Sequence, residues 1–201
     1  MYHEGEVNKA RHMPQSHNII ATKTVSGEVH IYDYFKHPTK PSDWGVRPNV
    51  RLVGHTSEGY GLSWNPQHEG LIVSGSDDGV ICMWDINQVS RNESNSIDPL
   101  YMLENPHDGE EIEDVAWSYF DENRYVSVGD DKRIMLWDTR QQGAALRVDD
   151  AHPLEIMCVD MSPFDPYLIL TGSMDTQAAV WDQRNMTQCL FKLSWHKDAL
   201  T

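Results

Sequence analysis

The sequence predicts an all-β fold, a β-propeller with four blades and the start of a fifth. Two observations predict it. The first is a repeat with a fixed opening and a fixed close: His3 to Asp33, His55 to Asp85 and His152 to Asp182 each span 30 positions, and His107 to Asp138 spans 31. Each span ends on an aromatic-Asp pair, Tyr32-Asp33, Trp84-Asp85, Trp137-Asp138 and Trp181-Asp182. The second is the content of each span, clearest from Gly54 to Asp85. Three apolar runs of strand length, Tyr60–Trp64, Leu71–Ser74 and Val80–Trp84, are separated there by Gly, Pro and Asp. A sheet of three strands cannot bury its apolar faces alone, so the units must stack on one another. The repeat sets blades at about 1–53, 54–104, 105–149 and 150–194, with 195–201 opening another.

Taken in order, the first unit has its inner strand at Glu6–Pro14, then strands at Ile19–Lys23 and Glu28–Tyr34. Lys36–Asn49, with Pro38, Pro41 and Pro48, reads as a surface linker. Val50–Val53 is the outer strand. In the second unit the polar stretch Asn87–Pro99 reads as an exposed loop or a local excursion, and Leu100–Leu103 as the outer strand. The third unit has strands at Glu113–Trp117, Tyr125–Val128, Arg133–Trp137 and Ala144–Val148. The fourth has them at Ile156–Met161, Leu168–Thr171, Ala178–Trp181 and Gln188–Leu193. Pro14, Pro66 and Pro163 fall just after an inner strand, where no ladder N–H is needed. Trp195-His196 begins a further unit. The expectation is therefore an arc of a larger ring or an incomplete gene product, ahead of a closed four-bladed ring, and an open arc would have bare blade edges that invite association.

A repeated polar set fixes the register. Six positions before the closing aromatic stand Ser26, Asp78, Asp131 and Asp175, and ten before it stand Thr22, Ser74, Ser127 and Thr171. With the opening histidine this gives His55, Ser74, Asp78 and Trp84; then His107, Ser127, Asp131 and Trp137; then His152, Thr171, Asp175 and Trp181. An Asp accepts from one imidazole nitrogen, and a hydroxyl bridges the other nitrogen to the indole N–H. Every donor then has an acceptor, so the set can be buried and can pin a turn to a strand. A Ser/His/Asp trio also suggests a hydrolase, but a triad is one constellation, and three copies at one offset describe scaffolding. The first unit departs from the set at Ser26 and Tyr32 and is expected to be the least firmly held.

Composition narrows the function classes. With 31 Asp and Glu against 16 Lys and Arg, the formal charge is −15, which favours basic partners over nucleic acid phosphate or anionic lipid. Cys82, Cys158 and Cys189 form no C-x-x-C pair and read as reduced thiols of an intracellular protein. No apolar run approaches the roughly 20 residues of a membrane span, and Met1-Tyr2-His3-Glu4 has no signal-peptide core. There is no Gly-rich phosphate loop, and the ten His show no H-x-x-x-H or H-E-x-x-H spacing. No cofactor, metal or catalytic group is predicted. Cys158 beside Asp160 lacks the electropositive setting of a reactive thiol.

The acids fall in register. Six residues before the matched inner-strand positions His12, Trp64, Trp117 and Met161 lie Glu6, Glu58, Glu111 and Glu155; two residues further on lie Asn8, Tyr60, Glu113 and Met157. Just before the structural Asp position lie Val25, Asp77, Asp130 and Met174. These sets should share one mouth of the propeller, where carboxylates beside Tyr60 can take Lys and Arg side chains. The run from Glu104 to Asp114 adds Asp108 and Glu110 as a possible extension.

The stretches HEGEVNKARHMPQ, KHPTKP, GHTSEGYGLSWNP, SGSDDGVICMWDI, EDVAW, GDDKRIMLWDTR and SWHKDAL together carry a more specific pattern than a generic Trp-Asp repeat. Loops as well as strands resemble the nuclear histone-binding WD-repeat family, which includes the retinoblastoma-binding proteins and the small subunit of chromatin assembly factor. The resemblance implies a seven-bladed, non-catalytic, nuclear protein shared among chromatin assembly, deacetylase, acetyltransferase, remodelling and methyltransferase complexes. It implies that an acidic end face holds the tail of histone three and similar Arg/Lys-rich peptides. The matching positions are Glu58, Tyr60 and Glu113, with Glu6 and Asp130 beside them; Met157 departs from the family's Asn. The family's groove for the first helix of histone four needs an N-terminal helix and a C-terminal insertion, so no histone four contact is expected here. A second reading comes from Trp137-Asp138-Thr139-Arg140 and Trp181-Asp182-Gln183-Arg184. This W-D-x-R ending resembles the box by which propellers dock on a cullin ubiquitin-ligase adaptor, through Asp138, Arg140, Asp182 and Arg184.

Overall fold

The computed structural model describes residues 3–38, 45–87, 95–194 and 196–200. Trp195 and much of the Lys36–Asn49 and Asn87–Pro99 segments lie outside the described residues. Among the described residues seventeen strands form four sheets, and the inner strands of successive sheets stand beside one another. In the first sheet β1 (Val7–Met13), β2 (Ser16–Thr24), β3 (Val29–Asp33) and β4 (Val50–Leu52) pair antiparallel in order. A short 3-10 turn, Tyr34–Lys36, follows β3, capped by Asp33, whose carboxylate accepts from Phe35 N–H. The second sheet orders β5 (Gly61–Trp64), β6 (Leu71–Gly75), β7 (Val80–Asp85) and β9 (Tyr101–Glu104). The third orders β10 (Ile112–Trp117), β11 (Arg124–Gly129), β12 (Ile134–Asp138) and β13 (Ala144–Val148). The fourth orders β14 (Ile156–Met161), β15 (Leu168–Ser173), β16 (Ala178–Asp182) and β17 (Phe191–Leu193).

One element differs from the sequence expectation. Within the stretch read as an exposed loop, Ser96–Ile97 forms β8, which pairs in parallel with β4 and so adds a fifth strand to the first sheet. Arg51 N–H donates to Asn95 O (3.0 Å) and Val53 N–H to Ile97 O (3.1 Å). Ile97 is fully buried. Ile97 has no apolar neighbour at strand spacing and so carries no periodicity, and only its landing beside β4 reveals it.

Strand alternation explains the core. Successive side chains point to opposite faces. Ile72, Cys82 and Trp84 turn toward the first sheet and pack with Ala21, Val29, Ile31 and Leu52. Val73, Ile81 and Met83 turn the other way and meet Ile112, Val115, Trp117 and Tyr125. A third cluster lies between the third and fourth sheets, with Val126, Val128 and Leu136 against Ile156, Ile169 and Trp181. One core fills each junction, and each fully buried aliphatic or aromatic side chain contributes about 1.5–3 kcal/mol. The stacking thus supplies the burial that a single sheet lacks.

Candidate peptide-binding face

The polar set holds the turns from which this face is built. In the third sheet His107 Nδ1 lies 2.8 Å from Asp131 Oδ1 and Nε2 lies 2.7 Å from Ser127 Oγ, to which Trp137 Nε1–H donates at 2.8 Å. In the fourth, His152 Nδ1 is 3.1 Å from Asp175, Nε2 is 2.8 Å from Thr171 Oγ1, and Trp181 Nε1–H donates to Thr171 at 2.9 Å. Burial of the His152 ring pushes its pKa down, against the pull of Asp175. The neutral ring then gives its one proton to the carboxylate and accepts from the hydroxyl.

The second sheet corrects the expected set. His55 Nδ1 lies 3.2 Å from Asp78 Oδ2 and Nε2 lies 3.1 Å from Ser74 Oγ. Trp84 does not join them: its indole N–H donates to Val53 O at 3.0 Å. The acceptor site on Ser74 is taken by Lys23 of the first sheet, whose Nζ donates to Ser74 Oγ at 2.7 Å and also to Gly75 O. In the first sheet His3 Nε2 meets Thr22 Oγ1 at 2.8 Å, while Thr24 and Ser26 share a 2.8 Å hydroxyl contact in place of the carboxylate.

The acidic residues gather along one end. Asp77 N–H donates to Glu58 O (2.9 Å), Asp130 N–H to Glu111 O (3.2 Å) and Met174 N–H to Glu155 O (3.0 Å). The same pairing of opening turn and hairpin turn therefore recurs in three sheets. In the first sheet the counterparts are Val25 and Glu6; Glu6 is exposed, and a Cβ on Gly5, the residue before it, would meet the Val25 side chain. Asn8 is committed to the second unit: its Nδ2 donates to Glu58 Oε2 (3.0 Å) and to Gly59 O (3.3 Å). Tyr60 stands 47% exposed among these groups.

The carboxylates feel one another across sheets. Burial pushes the Asp77 carboxyl up, and Glu58, Asp78 and Asp130 add to the rise while Lys23 opposes it. Asp130 is raised by burial and then by Glu111 and Glu155. Glu113 is pushed up to about 7, by burial first and then by Asp130, Asp77 and Glu111, and it hydrogen-bonds to Asp130. Near neutral pH the Glu113–Asp130 pair thus shares a proton. Carboxylate oxygens of Glu111, Glu113 and Asp130 lie within 4.8 Å of one another, a spacing that one guanidinium, ammonium or metal ion can satisfy. Of the run extending from Glu104, Asp108 is bonded to Arg133 and Asp114 is buried.

The W-D-x-R residues lie elsewhere. Arg140 folds back on its own Asp138, with Nε to Oδ1 at 2.8 Å and Nη2 to Oδ2 at 2.5 Å. Arg184 does the same with Asp182, at 2.9 and 2.6 Å, and stacks over Tyr167 with 4.5 Å to the ring centroid.

Two groups escaped the sequence reading. Asp114 lies three positions before the inner-strand aromatic, where the other units carry Lys9, Gly61 and Cys158. Its carboxyl accepts from Val115 N–H (3.0 Å) and Val159 N–H (3.3 Å), lies 3.8 Å from Lys9 Nζ, and is pushed up to about 6 by burial. Lys23 is the other. It occupies the register of Gly75, Val128 and Gly172, and a lysine among glycines and a valine is the signal that a unit-by-unit comparison offers.

The chain matches the family described as WD domain, G-beta repeat over residues 47–85, 98–138 and 143–182. Each match begins at or before an outer strand and ends on the Asp that closes the next unit, so the sequence repeat is offset by one strand from the sheet. The offset lets each repeat contribute to two sheets and so ties neighbours together. With well over half its length matched, the chain belongs to the WD domain, G-beta repeat family.

Proposed function

We propose that this protein, a WD-repeat scaffold for protein–protein interactions, is non-catalytic and nuclear, and takes the basic tail of histone three and similar Arg/Lys-rich peptides on its acidic face. As such it would serve as a subunit of chromatin assembly, remodelling and histone-modifying complexes. The observation that carries this reading is the run of mutually coupled carboxylates, Glu58, Asp77, Glu111, Glu113, Asp130 and Glu155, beside the exposed ring of Tyr60. Like charges held close raise one another's energy, and a bound cation relieves that repulsion. A guanidinium meeting Glu113 and Asp130 displaces their shared proton and replaces it with two charge-assisted hydrogen bonds.

The test is a titration of a labelled histone three tail peptide by fluorescence anisotropy at two salt concentrations. Binding should weaken steeply with salt, and Glu58→Lys with Glu113→Lys should abolish it. Undiminished binding by that double variant overturns the reading. The ligase-receptor alternative draws less support, because Arg140 and Arg184 already spend their guanidinium groups on Asp138 and Asp182.

A further inference from the structure

Lys23 is fully buried, yet its ammonium crosses from the first sheet into the second. The register explains how. The side chain at this position faces the next blade: a Cβ added at Gly75, its counterpart, would run into Ile112 of the third sheet. At the first junction a lysine uses that direction to reach Ser74 and Gly75 at the end of β6. The next residues form the acidic turn. Ser76 Oγ donates to Ser57 O at 2.9 Å and to Glu58 O at 2.5 Å, and Asp77 N–H donates to the same Glu58 carbonyl. Lys23 therefore grips the base of the hairpin turn that carries Asp77 and that is bonded to the opening turn carrying Glu58.

The ammonium also replaces an indole. Where Ser127 and Thr171 accept from Trp137 and Trp181, Ser74 accepts from Lys23. A neutral donor is exchanged for a charged one, beneath carboxylates. The charged and titratable groups that act on it are Asp77 and Asp78 of the turn, Cys82 of β7, His55 of the opening loop and Asp114 of β10. We propose that Lys23 is a positioning residue of the acidic face, a buried cation that fixes the Ser74–Asp78 turn from the neighbouring blade and supplies the counter-charge beneath Asp77 and Asp78. The role as a determinant of peptide affinity rests on the peptide-binding reading above; the electrostatic role does not. Burial brings the Lys23 amine down to about 7, so the counter-charge is present below neutral pH and withdrawn above it.

The experiment has two arms. Carbon-detected NMR follows the side-chain carboxyls of Asp77 and Asp78 and the Lys23 amine in the wild-type protein and in Lys23→Met. The wild type should show Lys23 titrating well below an ordinary lysine, with a matching inflection at Asp77; Lys23→Met should lose that inflection and shift the Asp77 midpoint upward. In the second arm, Lys23→Met, which removes a cation from beneath the face, should bind the histone three tail peptide about 5- to 10-fold more tightly at pH 6, and the two proteins should converge at pH 9. A merely structural lysine would give a loss independent of pH. Lys23 titrating normally, with no response at Asp77, overturns the proposal, and the wild-type titration decides this even if the variant does not fold. If no peptide binds the wild type, the peptide-binding reading fails while the Asp77 titration still tests Lys23.

Discussion

The indole of Trp84 turns away from Ser74 and donates to the carbonyl of Val53 at 3.0 Å, whereas Trp137, at the same repeat position, donates to Ser127 at 2.8 Å. Two residues alike in sequence therefore do different work. A double-mutant cycle should register this. Ser127 and Trp137, truncated to Ala and Phe, should show a coupling energy of about 1 kcal/mol, the usual net worth of a hydrogen bond. Ser74 and Trp84 should show a coupling near zero. Urea denaturation of the four single and two double variants measures both; equal couplings would contradict the assignment.

Glu113 carries a stability cost that its proposed function requires. Its folded carboxyl titrates at about 7, against 4.5 for a free glutamate, so the folded state holds the proton more tightly. Below the lower value both states are protonated and there is no penalty; the penalty grows through that window and is complete above about 7. Glu113→Gln should therefore stabilise the protein by about 1–2 kcal/mol at pH 8, after discounting for partial exposure, and leave it unchanged at pH 4. Thermal melts at the two pH values test the sign.

The same group makes peptide binding pH-dependent. A cation that meets Glu113 and Asp130 needs both ionised, so wild-type affinity for the histone three tail peptide should rise about 3- to 10-fold from pH 6 to pH 8. Glu113→Gln should bind more weakly and lose most of that slope. Calorimetry in buffers of different ionisation enthalpy should detect release of up to one proton near pH 7.

Lys9 and Asp114 meet across the inner strands of the first and third sheets, at 3.8 Å. Lys9→Met leaves a buried carboxylate without its cation, which should cost about 1–3 kcal/mol at pH 8. The Asp114 carboxyl, already pushed up to about 6, should then move higher still. At pH 5 it is protonated and the cost should nearly vanish. Chemical denaturation at both pH values checks this; a cost that does not vary with pH would rule out the ion pair.

Arg184 holds the Asp182 carboxyl down to about 2 through two hydrogen bonds. Arg184→Ala should return it toward the ordinary aspartate range, read by NMR, with peptide binding untouched. Should the ligase-receptor alternative hold, the same variant would also lose capture of the ubiquitin-ligase adaptor.

The amino-acid order alone determined the strands and their spacing, because alternating burial and turn chemistry are local properties that four copies reinforce. It determined that His107, Ser127, Asp131 and Trp137 share one register, since a fixed offset within a hairpin leaves little freedom. What it left undecided are contacts between units: Lys23 on Ser74, Asn8 on Glu58, Lys9 near Asp114, and Ser96–Ile97 beside β4. Those pairs lie tens of residues apart, and whether they touch depends on how one sheet is rotated and set against the next. A side chain's reach across that gap is a property of packed blades, so only the tertiary structure placed a buried cation under the acidic mouth.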